Sequence, residues 1–335
     1  MATINTEVTY AGLKLKNPFV ISSSGLTENA DKIEILEKCG ASAVVLKSLF
    51  EEQIMMNVEK DLQSGNYDYP EAHDFLQNFL TADHIEKYLN VIRESKKRCS
   101  IPIIASINCY SKRSWIQFAK SIEEAGADAL EVNIMLVNTD KESKPDVSET
   151  LHIEILAELK KVIKIPVIMK LSNHFTNLVY LVNQLQHNDA DGVVLFNRSF
   201  SPDIDIKNLR FTTGPVLSDP TIFHETLRWT GIVSGMVPKI DIAASGGIHD
   251  AENAIKALLA GAKVTQLCSV IYKEGPDQIA FMNTKLISWM QEHGFERIDQ
   301  FRGKMNFANF EDENYYERTQ FMKYFSNRDN YPPMQ

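Results

Sequence analysis

Ser245-Gly246-Gly247 and Cys268-Ser269 are the two places where this chain offers bare backbone at the end of an apolar run. The first follows Ile242–Ala244 directly, and the second ends the core of Val264–Ile271. Adjacent glycines let the main chain approach a ligand closely and turn successive N–H groups toward it, which suits a phosphate. A glycine pair needed only for the geometry of a strand-to-helix turn is the competing reading. Lys47 and Lys170 add cationic groups in strand context, where Val, Ile, Leu and Ala dominate. A buried lysine is costly unless it meets an anion or another partner. A neighbouring carboxylate would satisfy either lysine, but two lysines beside a phosphate-ready turn point to a large anionic cofactor.

These residues need a scaffold that brings strand ends together. Apolar strands and amphipathic helices alternate along the chain. The strand runs are Phe19–Ser22, Ala43–Leu46, Pro102–Ile107, Ala129–Ile134, Pro166–Leu171, Gly192–Phe196, Ile242–Ala244 and Val264–Ile271. Helical spacing follows over Asn29–Lys38, Ile85–Lys96, Trp115–Glu124, Glu149–Ile163, Leu178–Leu185, Thr221–Val233, Asp250–Ala260 and Asp277–His293. Gly40, Gly126, Gly192 and Gly261 each precede a strand, as helix-closing glycines would. Residues 7–15 look like a hairpin capping the bottom, while 51–80 and the stretch up to Pro220 are long excursions. This rhythm predicts a (β/α)8 TIM barrel whose active site lies at the C-terminal strand ends, and loops after the last two strands of such barrels commonly bind phosphate. The strand-end residues are then Ser24, Gly25, Lys47, Ser48, Asn108, Asn133, Lys170, Asn197, Gly246, Gly247 and Ser269.

Bulk properties narrow the classes. The chain has 335 residues, 44% hydrophobic and 24% charged, with 35 basic against 44 acidic side chains and a net charge of −9. That balance argues against nucleic acid or an anionic membrane as the main partner. No apolar run reaches the ~20 residues of a membrane span. MATINTEVTY lacks a basic and apolar leader. Cys39, Cys99, Cys109 and Cys268 contain no CxxC pair, so reduced thiols, no metal site and a cytoplasmic location are expected. No linker divides the chain, so residues 1–335 read as one domain with an aromatic-rich tail over 306–335.

The chain resembles the dihydroorotate dehydrogenase family, specifically its soluble class 1 branch. The likeness runs from Thr9 to about Asn306. It rests on Asn17-Pro18-Phe19 leading to Ser23-Ser24-Gly25, on Lys47-Ser48, Glu131-Val132-Asn133, Lys170-Leu171, Ser245-Gly246-Gly247-Ile248, Lys273-Glu274-Gly275-Pro276 and Phe301-Arg302-Gly303-Lys304. The resemblance implies FMN as cofactor and a role in pyrimidine biosynthesis. The phosphate would rest on Gly246-Gly247 and Cys268-Ser269, where the family has Gly-Thr at the second place. Ser23, Ser24, Gly25, Lys47, Ser48, Asn108, Asn133, Lys170 and Gly214 would line the ring and ribityl chain. Lys47, Asn133, Asn138 and Asn197 match residues of the reacting centre. Lysines beside the ring would stabilise the negative charge of reduced flavin at N1. A small-molecule substrate and a homodimer are expected; the electron acceptor stays open.

The substrate half departs from the family. Where the family reads Leu-Ser-Cys-Pro-Asn, or has serine for that cysteine, this chain reads Ile134-Met135-Leu136-Val137-Asn138, with Leu136 at the position of the base. Leucine cannot take a proton. The family's Asn-x-Met-Gly-x-x-Asn loop has no counterpart in 51–80, which offers Gly65-Asn66-Tyr67-Asp68-Tyr69-Pro70. Arg198 replaces a Ser or Thr after Asn197; it would bind a substrate carboxylate or pair with Asp203 or Asp205. His174 and Cys109 are alternative bases, set against a surface histidine and a small buried thiol. Four readings follow: dihydroorotate oxidation with a displaced base, the same flavin chemistry on another substrate, a flavin-binding protein without turnover, and a barrel lyase or isomerase using the phosphate site.

Overall fold

The computed structural model describes residues 4–56, 70–108, 112–135, 137–199, 201–309 and 314–317. Strands β1 (Val8–Tyr10) and β2 (Leu13–Leu15) form the expected hairpin, paired antiparallel. Its turn uses Ala11 and Gly12 at φ 48° and 78°, and the Ala11 N–H donates to Asp241 Oδ2 at 2.8 Å. Asp241 opens a barrel strand, so the hairpin closes the barrel's N-terminal end, with Tyr10 fully buried.

Eight parallel strands make the barrel: β3 (Phe19–Ile21), β4 (Ala43–Val45), β6 (Ile103–Asn108), β7 (Ala129–Asn133), β8 (Val167–Leu171), β9 (Gly192–Leu195), β12 (Asp241–Ser245) and β13 (Val264–Leu267), closed by pairing of β4 with β6. They carry Val, Ile, Leu and Ala that are almost all buried, as strands covered on both faces require. Helices α1 (Ala30–Lys38), α2 (Pro70–Arg98), α3 (Lys112–Glu124), α4 (Val147–Val162), α5 (Leu178–His187), α6 (Phe223–Met236) and α7 (Ala251–Leu259) alternate with them. After β13 come α8 (Ser269–Glu274) and α9 (Gln278–Glu292).

Strand two is interrupted. Beyond β4 the chain leaves the ladder at Lys47-Ser48 and rejoins it as β5 (Leu49–Phe50), pairing Leu49 with Ile107. The gap would strand the backbone of Ser106, and Tyr88 from α2 fills it: its hydroxyl donates to Ser106 O at 3.0 Å and accepts from Ser106 N at 2.8 Å. Burial, chiefly, raises the pKa of this phenol.

Several expectations need correction. The apolar run Val264–Ile271 is not one strand: β13 stops at Leu267, and Val270 and Ile271 are buried on a short helix. A short run of buried residues does not distinguish the two periods. The 51–80 excursion already contains the start of α2 at Pro70. The excursion after β9 holds a hairpin, β10 (Pro202–Asp205) with β11 (Arg210–Thr213). Gly40, Gly126 and Gly261 close helices at positive φ, but Gly192 does not; Asp189 at φ 62° takes that role. Gly192 is needed for space instead, since a Cβ would lie 3.3 Å from the Tyr10 ring. Of the tail, Phe307 N donates to Gly231 O, and the Tyr316 ring sits where a Gly231 side chain would be, so the described part rests on α6.

Candidate active site

A cavity of about 740 Å³ opens at the C-terminal ends of the strands. Gly246 and Gly247, at φ 112° and 71°, form part of its wall. A Cβ on Gly247 would stand 2.4 Å from Phe223 N, and one on Gly246 3.2 Å from Thr226 Oγ1. Only glycine meets both the left-handed backbone and the space. Cys268 and Ser269 stand on the same wall. Ser269 Oγ accepts from the backbone N–H of Ser218 at 2.8 Å and from its hydroxyl at 2.9 Å, and Ser218 in turn meets His249 Nε2 at 2.9 Å. Burial first, then Lys273, lowers the His249 pKa against the opposing pull of Asp219 and Asp250. Burial raises the Cys268 thiol, with Ser24 and Lys170 acting the other way.

The cavity floor is Lys170. Its Nζ lies 3.1 Å from Glu131 Oε1, 3.2 Å from Gln266 Oε1 and 3.2 Å from Ser22 Oγ. Glu131 is fully buried, and the Lys170 side chain is 5% exposed. The carboxylate partner weighed for each lysine is therefore present. For Lys47 it is Glu28, at 3.8 Å and half exposed.

The structure divides the residues expected from sequence. Ser23, Ser24, Gly25, Lys170, Asn197, His174, Gly246, Gly247, Cys268 and Ser269 border the cavity. Lys47, Ser48, Asn108, Asn133, Asn138 and Gly214 lie off its wall. Ser48 is tied to Ser23 at 3.0 Å and to Ser106 at 2.7 Å, so it supports the wall from behind. Asn133 is buried and accepts from Asn197 Nδ2 at 2.6 Å, which fixes that pair across the ends of β7 and β9. Asn138 is exposed and accepts from Asp140 N at 3.1 Å. Gly214 donates to Ser201 O at the base of the hairpin. Leu136, Cys109, Tyr67 and Tyr69 lie outside the described residues.

Arg198 pairs with neither Asp203 nor Asp205. Its guanidinium donates to the carbonyls of Pro215 and Val216, while Asp205 is held by Arg210 at 3.2 Å. The reason is distance along the fold: the hairpin carries both aspartates outward while its return strand brings 215–216 back beside β9. Sequence reasoning also passed over Asn173, Glu225 and Gln266, all on the wall. Asn173 Nδ2 donates to Glu225 Oε2 at 3.0 Å, joining the loop after β8 to α6. Gln266 lies in the middle of an apolar strand, and that misplaced polar side chain was the available signal.

The dihydroorotate dehydrogenase family model matches residues 5–290, a span that includes both the Gly246-Gly247 turn and Lys170. The chain belongs to the dihydroorotate dehydrogenase family. A protein of Thermoplasma volcanium named dihydroorotate dehydrogenase B (NAD(+)), catalytic subunit, is 29% identical over 323 residues, covering 90% of this chain and 98% of the relative. Proteins of the same name from Thermoplasma acidophilum and Methanothermobacter thermautotrophicus are 27% and 25% identical, over 90% and 89% of this chain and 99% and 97% of their own lengths. Membership of this family makes the chain an oxidoreductase. No helix among the described residues is long and apolar enough to cross a membrane.

Proposed function

We propose that this chain is a single-domain FMN-dependent oxidoreductase that moves a hydride between a small cyclic CH–CH substrate and flavin in the cytoplasm. The observation that carries the reading is Lys170 at the floor of a cavity whose wall holds the Gly246-Gly247 cradle. The residues fit the cofactor: a Cβ at Gly247 would drive the cradle into Phe223, and the 740 Å³ cavity falls within the usual range for cofactor sites. When bound, FMN supplies the hydride acceptor.

The chain's own residues do the rest. Gly246, Gly247 and Ser269 would bind the phosphate. Lys170 would hold a positive charge under the ring, where negative charge develops on reduction. Asn197, held from behind by Asn133, would orient the substrate ring. Of the bases named from sequence, His174 is the one the described wall presents, and it would take the substrate proton. The name of the relatives supports NAD(+) as final acceptor, with this chain as a catalytic subunit. Ile204, Ile206, Leu209 and Phe211, bare on the hairpin at 60%, 83%, 87% and 82% exposure, support a homodimer.

A second reading keeps the fold and FMN but gives the site another substrate, because Leu136 stands where the family has its base. Anaerobic addition of dihydroorotate to the FMN-loaded protein separates the two. Rapid bleaching supports dihydroorotate, whereas a flavin reduced by dithionite but not by dihydroorotate supports the second.

A further inference from the structure

Among the described residues, Glu131 is the buried carboxylate that the reading above leaves without a task. It belongs to β7, where it pairs with Ile168, two residue pairs below the Asn133–Lys170 pair between β7 and β8. Both its oxygens are engaged. Oε1 receives Lys170 Nζ at 3.1 Å, and Oε2 receives Gln266 Nε2 at 2.6 Å. Gln266 Oε1 in turn accepts from Ser22 Oγ at 3.1 Å and from Lys170 at 3.2 Å. The three protons of the ammonium thus face Ser22, Glu131 and Gln266. Two strands, β8 and β13, meet on this carboxylate, and Ser22 after β3 joins them through Lys170 and Gln266. Its negative charge also reaches the buried Tyr10 and Tyr88 phenols, adding to the larger effect of burial in raising their pKa values.

Stability alone does not account for this arrangement. Desolvating two charges offsets most of their attraction, and apolar residues of similar volume commonly serve as well or better. What the pair does achieve is a lysine with a fixed position and a reduced net charge. Lys170, Gln266 and Ser22 border the cavity, and Glu131 does not. Glu131 therefore acts on whatever the cavity holds through the side chains it bonds, and Lys170 is the charged one of the two.

We propose that Glu131 is a positioning residue that holds Lys170 at the cavity floor and partly cancels its charge, thereby keeping the reduction potential of the bound flavin low. This rests on the FMN reading. Reduction adds two electrons to the flavin and leaves negative charge on its pyrimidine edge. A carboxylate close behind the cation opposes that charge, and its removal favours the reduced state. The direction is opposite to what loss of Lys170 itself would produce.

The test is the reduction equilibrium of the FMN-loaded full chain against a reference dye, without oxygen, for wild type, Glu131→Gln and Glu131→Asp. Glu131→Gln should shift the equilibrium toward reduced flavin tenfold or more, which is ~30 mV for a two-electron couple. Glu131→Asp, whose carboxylate sits farther from Nζ, should shift it the same way by less. A purely structural role would weaken both oxidation states alike and leave the potential unmoved. Equilibrium constants within twofold of wild type in both variants overturn the inference while leaving FMN in place. If Glu131→Gln does not accumulate folded, an unmoved Glu131→Asp overturns it. A wild-type chain that takes up no FMN removes the cofactor reading and this inference together.

Discussion

The two sides of the cavity mouth are built differently. On the side of β12 and β13, shape is set by backbone: two left-handed glycines, a Ser269 hydroxyl held by Ser218, and strands buried along their length. On the side of β7 to β9, the wall is side chains on long loops. His174 is exposed there, and Arg198 spends its guanidinium on two carbonyls of the returning hairpin. A backbone cradle would tolerate changes of side chain, such as Cys268 where the resemblance places a glycine. A wall made of side chains changes its ligand with each substitution. On the proposed reading, the phosphate end can therefore stay constant while the reacting end changes, in line with the matches and departures in this sequence.

Five substitutions would break or sharpen that contrast. Lys170→Met leaves Glu131 buried without its cation, and loss of one partner of a buried pair costs about 3–5 kcal/mol. Denaturant unfolding should show that loss, and a variant within 1 kcal/mol of wild type would mean that the pair is more hydrated than its burial indicates. Gly247→Ala places a Cβ 2.4 Å from Phe223 N at φ 71°. The left-handed backbone alone costs about 1–2 kcal/mol, and the clash adds to it, so FMN affinity by fluorescence titration should fall at least tenfold. Arg198→Ala should act on the other side only. It frees the 215–216 loop and lowers stability by about 1 kcal/mol or less, with FMN affinity within threefold of wild type and faster amide exchange confined to 214–217.

The smallest effect is on acid stability. Burial first lowers the pKa of His152, whose ring meets Phe175 edge-on at 5.1 Å, and burial likewise lowers His249. A histidine whose folded pKa is depressed binds fewer protons folded than unfolded. Stability is then fully present above the unfolded value of about 6.5 and falls as the pH drops below it. His152→Gln should flatten that slope more than His249→Gln, because His152 is 2% exposed and His249 is half-buried. Equal slopes in both would contradict the assignment.

Much of this was legible before folding. Strand runs of Val, Ile and Ala, helix-closing glycines at 40, 126 and 261, and the Gly246-Gly247 turn are local signals, and each marks its element. What was not legible depends on closure. Glu131 and Lys170 lie 39 positions apart, and Gln266 lies 135 beyond Glu131, so their union exists only because β3, β7, β8 and β13 share one barrel. For Arg198, proximity in sequence offers Asp203 and Asp205 as partners beside a substrate carboxylate, and the hairpin carries the two aspartates away. The hairpin itself had a signal in the alternation of Ile204 and Ile206 with a Lys207-Asn208 turn, hidden inside a stretch read as loop.

The most direct test of the central claim is the visible absorption spectrum of the purified chain after incubation with FMN and removal of free ligand. A stoichiometric flavin spectrum that bleaches with dithionite is the predicted result. A chain that stays colourless with FMN in excess would contradict the account and remove the cofactor reading.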